Sequence, residues 1–115
     1  MARFVLGTPS VTKTIKIQKP GHDAQEFTAE IRLRSRDDQD ALEKARNAKP
    51  KNFDQIAVVR EDVLSVSGID DANGKELEST PELIDAVFQD SYALNRLMRA
   101  WSEVQLGLPE AEAKN

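Results

Sequence analysis

Of all the stretches in this chain, Asp71-Ala72-Asn73-Gly74 comes closest to a cation loop, because an EF-hand sets carboxylate and amide oxygens ahead of an obligatory glycine. In that register the first ligand position falls on Ile69 and the twelfth on Thr80, and neither supplies the required carboxylate. The run therefore reads as an Asn-Gly turn. Asp37, Asp38 and Asp40, or Asp70 and Asp71, are close enough in the chain to share acid–base work. Carboxylates at a helix start or in a turn more commonly serve as caps and solvated charges. His22 lies in a Pro20-Gly21-His22-Asp23 turn and has no second imidazole with which to share a metal. Ser65, Ser67 and Ser91 lack the glycine frame of a nucleophile elbow, and the five glycines are scattered singly, so no phosphate loop or dinucleotide fingerprint exists. The absence of cysteine removes disulfides and thiolate chemistry and fits a reducing cytoplasm. The expectation is a chain with no catalytic, metal or cofactor site.

Two surfaces offer binding instead. Lys13, Lys16, Lys19, Arg32, Arg34 and Arg36 form a basic ribbon if they share a strand face, as a nucleic-acid-binding regulator requires. Lys13 has the opposite parity, however, aromatics are not interleaved, and the net charge is −4. The second surface is a stripe of Leu94, Leu97, Met98 and Trp101, continued by Val104 at the spacing of one helical face. Its first reading is core. The functional reading is that part of it docks a partner helix or another subunit, since Met and Trp are adaptable and energetically heavy at interfaces.

The elements that position these residues follow from periodicity. Val11, Ile15 and Ile17 alternate with polar residues, interrupted by Lys13, and Phe27, Ala29, Ile31 and Leu33 alternate with Thr28, Glu30, Arg32 and Arg34. The pair reads as a β-hairpin whose tip, about Lys19 to Glu26, is solvated and mobile. A hairpin alone is marginal in water, so its apolar face needs cover. Ser35 caps a helix over about Arg36 to Asn47, stopped by Pro50. Phe53 to Val59 is too short to assign between strand and helix, and Val63 to Gly74 reads as a connector. Ser79-Thr80-Pro81-Glu82 has the form of a capping box with Ser79 as cap, opening a helix that buries Leu83, Ile84, Val87 and Phe88. After Gln89-Asp90-Ser91 comes the Trp101 helix, ended by Gly107 and Pro109, with a polar tail beyond.

One domain is expected, since 115 residues with 39% apolar content support a single modest core. The opening residues do not read as a signal peptide, and no apolar run is long enough for a transmembrane helix. Charge is uneven: residues 1–50 carry ten basic and seven acidic side chains, and residues 51–115 carry six and thirteen. The first reading is two ordinary solvated faces; the functional one is that opposite signs on the two halves steer head-to-tail self-association or a polar partner.

In order and spacing, Val11 to Gln18, Pro20-Gly21 and Phe27 to Leu33, then Val63-Leu64, Ser67-Gly68-Ile69, Asp71, Asn73-Gly74, Leu77 and Thr80-Pro81-Glu82-Leu83, then the final helix and Lys114-Asn115, resemble the small tail assembly chaperones of tailed phages and prophages. The likeness runs over most of the chain, with Val66 where the family often has tryptophan. It implies a non-enzymatic chaperone that binds the tape-measure protein and keeps it soluble in the host cytoplasm until the tail tube polymerises. It also implies absence from the mature virion. Many such phages make a longer frameshifted form that recruits tail tube protein. The combined expectation is an α+β fold, an N-terminal β-hairpin over 1–35, a mainly α-helical part over 36–106 and a flexible tail over 107–115. Leu94, Leu97, Met98 and Trp101 are the partner-binding candidates, and the second functional class is a structural tail or head-completion protein retained in the virion.

Overall fold

The computed structural model describes residues 2–7 and 9–107. The chain is α+β: a three-stranded antiparallel sheet covered on one face by helices. Strand β1 (Ser10–Ile17) pairs with β2 (Gln25–Arg32) in a register running from Ser10 opposite Arg32 to Ile17 opposite Gln25. Alternation works as the sequence predicts, sending Ile15, Ile17, Phe27, Ala29 and Ile31 inward and leaving a polar outer face. Lys13 interrupts the apolar side because it shares that inner face, opposite Ala29, and reaches Glu103 at 3.4 Å with both side chains largely covered. The hairpin tip is tied down at its root, where the Gln18 side-chain amide donates to the His22 carbonyl at 2.6 Å and the Lys19 ammonium meets Asp90 at 2.6 Å.

Helix α1 (Arg36–Ala48) begins at Ser35, whose hydroxyl accepts the Asp38 N–H, as expected. A short 3-10 turn over Pro50–Asn52 leads to α2 (Gln55–Asp62), capped by Asp54. The segment read as a connector contains a third strand, β3 (Val63–Ser67), which pairs with β2. Thr28 faces Ser67, Ala29 faces Val66 and Glu30 faces Ser65, but Ile31 faces Val63, so Leu64 is an extra, outward residue. This bulge puts the two inward valines three positions apart and erases the period-two signal by which a strand is recognised.

Helix α3 (Pro81–Phe88) starts one residue later than the capping-box reading requires. Thr80, not Ser79, accepts the Leu83 N–H, while the Ser79 hydroxyl accepts the Val66 N–H on the outer edge of β3 at 2.9 Å. Ile84 and Phe88 are buried, and Leu83 and Val87 only partly so. Helix α4 (Ser91–Leu106) is capped by Asp90 and ends at Gly107 in the left-handed conformation, φ +66°, which glycine adopts without strain. It lies against β1, α2 and α3, and its Ala93, Leu97, Ala100, Trp101 and Val104 supply the cover the hairpin needs. The expected polar tail and Pro109 lie outside the described residues, apart from Gly107.

Candidate functional site

The stripe on α4 divides between core and surface. Leu97 is fully buried and Trp101 is 8% exposed, whereas Leu94 and Met98 are partly buried at the margin of the core. Two of the four candidate partner-binding residues therefore face inward in the single chain. The reason is helical phase: Ala93, Leu97, Ala100 and Val104 point at the sheet, and Met98 lies at the edge of that stripe.

Trp101 leads to a feature that residue types alone did not reveal. Its indole N–H donates to Asp62 at 2.7 Å, and Asp62 has no exposed surface at all. The second donor to that oxygen, Oδ2, is Arg34 Nε at 2.7 Å, and Oδ1 accepts from Arg32 Nε at 3.1 Å and Nη2 at 2.8 Å. Four N–H groups thus occupy both carboxylate oxygens, filling the acceptor sites that a carboxylate offers. Arg32 and Arg34, two members of the basic ribbon, face this carboxylate instead of a nucleic-acid backbone. Beside them Gln105 extends the end of β2 with its side chain, donating to the Arg32 carbonyl at 2.6 Å and accepting the Arg34 N–H at 2.9 Å. No sequence signal distinguishes Asp62 or Gln105 from the other acids and amides of this chain.

Between α1 and the C-terminal half of α4 runs an open groove of about 330 Å³. Leu42 and Gln39 line it from α1, and Met98, Trp101 and Leu106 line it from α4. Helix α1 has no buried residue: Ala41, Ala45 and Ala48 are exposed, and only Gln39 and Leu42 are partly covered. Among its links to the body are Gln39 to the Gln105 carbonyl at 3.1 Å and Arg46 to Gln55 at 3.0 Å. Such an amphipathic helix, attached by a few polar contacts, is a wall whose apolar side is incompletely used.

A second groove, about 620 Å³, lies at the other end of α4, between the hairpin tip, α3 and the turn after β3. Phe27, Ile69, Leu83 and Val87 make its apolar floor, and Glu26, Asp70, Asp71 and Asp90 its rim. Asp90 is held below the usual carboxylate range, first by the hydrogen bond from Lys19 and then by the Ala93 N–H that it caps. Asp71 accepts the N–H groups of Asn73 at 2.8 Å and Lys75 at 3.0 Å, so the candidate cation loop is a turn whose first carboxylate satisfies backbone donors. Gly74 completes that turn at φ +81°.

Among the described residues no three His, Asp or Glu side chains gather as a metal site, and no helix is long and apolar enough to cross a membrane. No family model, no curated protein and no solved structure matches this chain.

Proposed function

We propose that this chain is a phage tail assembly chaperone, without catalysis, that holds apolar helical segments of the tape-measure protein against the groove between α1 and α4. The observation that carries the reading is α1 itself, a capped amphipathic helix with no buried residue, standing opposite the half-open Met98 and the exposed Leu106. Helix-in-groove recognition needs such an apolar trough between two helices, and a methionine adapts to clients of irregular shape. The order of motifs along the sequence supports the same reading, and a net charge of −4 favours solubility of the loaded complex. In this role the protein acts in the bacterial cytoplasm, leaves before the virion is complete, and reaches the tail tube protein through a longer frameshifted form.

The test is coexpression with a tape-measure fragment from the same phage genome, scored by the fraction of fragment that stays soluble. Met98→Asp and Leu42→Asp place a charge in the groove without replacing any member of the Asp62 cluster, and each should send the fragment to the pellet while the chaperone keeps its native melting profile. Trp101→Ala is a poor probe because Trp101 is buried and bonded to Asp62. Folded variants that still solubilise the fragment would refute this binding face. Abundant copies of the chain in purified virions would favour the structural class instead.

A further inference from the structure

The segment before β1 is the least covered apolar stretch among the described residues: Phe4 and Leu6 are each 87% exposed and follow an exposed Arg3, outside any strand or helix. At the opposite end of the hairpin lies the acid-rimmed groove floored by Ile69, Leu83 and Val87. Asp90 on that rim is paired with Lys19 and Asp71 is engaged by its own turn, but Glu26 and Asp70 are exposed and stand in no ion pair among the described residues. Lys16 is the cross-strand neighbour of Glu26, so the excess negative charge is concentrated at Asp70, whose bridge partner Glu76 is a second acid. A short apolar segment led by a cation is complementary to this groove in both respects.

The arm cannot fill the groove of its own chain. The groove residue nearest the arm along the hairpin is Phe27, level with Ile15, five residues beyond Ser10 on β1. At about 3.3 Å per residue that is roughly 17 Å along the strand, before any step across to the helical side. Leu6 precedes Ser10 by four residues, which at full extension spans at most about 14 Å. Phe4 and Leu6 therefore cannot be seated together at home. We propose that they are seated in the corresponding groove of a second copy, with Arg3 against the Asp70 side of the rim.

Arm and groove lie at opposite ends of the hairpin, and the contact proposed is the heterologous one, in which each copy that receives an arm still offers its own. Association of this kind continues head to tail, in the sense of the unequal charge of the two halves of the sequence. It leaves the α1–α4 groove open, because the arm's groove meets α4 at Asp90 and Ala93 and the other meets it from Met98 to Leu106.

Sedimentation velocity of the full chain over a wide concentration range tests the proposal. The native protein should show species larger than a monomer that grow with concentration, and Phe4→Asp/Leu6→Asp should remain monomeric with an unchanged melting profile. Asp70→Lys, an exposed turn position, should weaken association at least several-fold. The decisive arm mixes two variants: Phe4→Asp/Leu6→Asp keeps a working groove, and Val87→Asp keeps a working arm. Each should be monomeric alone, and together they should form a dimer that grows no further. Should Val87→Asp fail to fold, Ala86→Asp on the exposed rim of α3 replaces it. A native chain that stays monomeric throughout, an arm variant that associates like the native chain, or a mixture that forms no dimer would each overturn the proposal.

Discussion

Replacing Asp62 by alanine is the sharpest perturbation this fold offers. The substitution leaves two guanidinium groups and an indole N–H facing a space from which the acceptor they share has gone, with Glu61, 3.9 Å from Arg32 and 4.0 Å from Arg34, still beside the guanidiniums. Breaking a buried ion pair by removing one partner costs about 3–5 kcal/mol. Arg32 is about one-third exposed and can recover water, whereas Arg34 is only 11% exposed and Trp101 is buried, so the lower part of that range, about 3 kcal/mol, applies. Total stability for a domain of this size is about 5–15 kcal/mol, so one side chain accounts for a large share of it. With a urea slope of about 1–2 kcal/mol per molar, the unfolding midpoint should fall by roughly 1.5–3 M. Trp101→Phe removes a single donor to the same carboxylate and should cost about 1.5–3 kcal/mol. Because the two changes break one shared hydrogen bond, the double variant should be less destabilised than the two single effects added together. Urea titration of the four proteins by far-ultraviolet circular dichroism measures all of this. An Asp62→Ala protein within about 0.5 kcal/mol of native, the range of ordinary surface changes, would refute the assignment of this cluster as the clamp of the fold.

Three further outcomes are expected. Asp90 has its proton affinity lowered in the folded state, so the stability it contributes is present above the ordinary carboxylate range and is lost as pH falls through the lowered value. Lys19→Gln should accordingly cost less than about 1 kcal/mol near neutral pH, as for any half-exposed pair, and the cost should shrink toward zero in strong acid; a pH-independent difference in urea midpoint would contradict this. Thr80→Ala should destabilise by about 1 kcal/mol through loss of the α3 cap, and Ser79→Ala by a similar amount, about 1 kcal/mol, because the Val66 N–H loses its acceptor. A neutral Ser79→Ala in thermal melts would argue against its role at the sheet edge. In native-state hydrogen exchange the amides of α1 should open at far lower free energy than those of β2 and α4, since α1 has no buried residue. Equal protection would mean that α1 is part of the cooperative core.

The legible parts of this fold are those in which one element's pattern is set by one neighbour. The hairpin and α4 each present a regular apolar face to the other, so periods of two and of three to four survive intact in Ile15, Ile17, Phe27, Ala29 and Ile31 and in Leu97, Trp101 and Val104. Strand β3 was hidden because the bulge at Leu64 moves Val63 and Val66 out of alternation. Helix α2 carries no clear period because it exposes Ile56 yet buries Val59 and Asp62, a face one turn long whose second member is an acid. The sequence does not distinguish the cap of α3 because Ser79 and Thr80 are both good caps, and the proximity of Val66 assigns them different donors. In the candidate site, helical spacing identified the α4 stripe but not which of its members remain at the surface, since that depends on where α1 comes to lie.

The same contacts decide which parts of the fold are fixed and where apolar surface stays open along α4. Asp62 stands at the junction of α2 and β3, and its four donors come from the end of β2, the residue two positions beyond it, and the C-terminal half of α4. One buried carboxylate thereby fixes the sheet, the α2–β3 corner and the longest helix relative to one another. Gln105 adds a second tie from α4 to the same end of β2. Apolar surface stays incompletely covered in two places along α4, beside its N-terminus at Leu83 and Val87 and along its C-terminal half at Met98 and Leu106. On the proposed reading, the two separate grooves let a second copy and a client helix bind without competing. Phe4→Asp/Leu6→Asp should therefore abolish self-association and leave client solubility unchanged, and Met98→Asp should do the reverse.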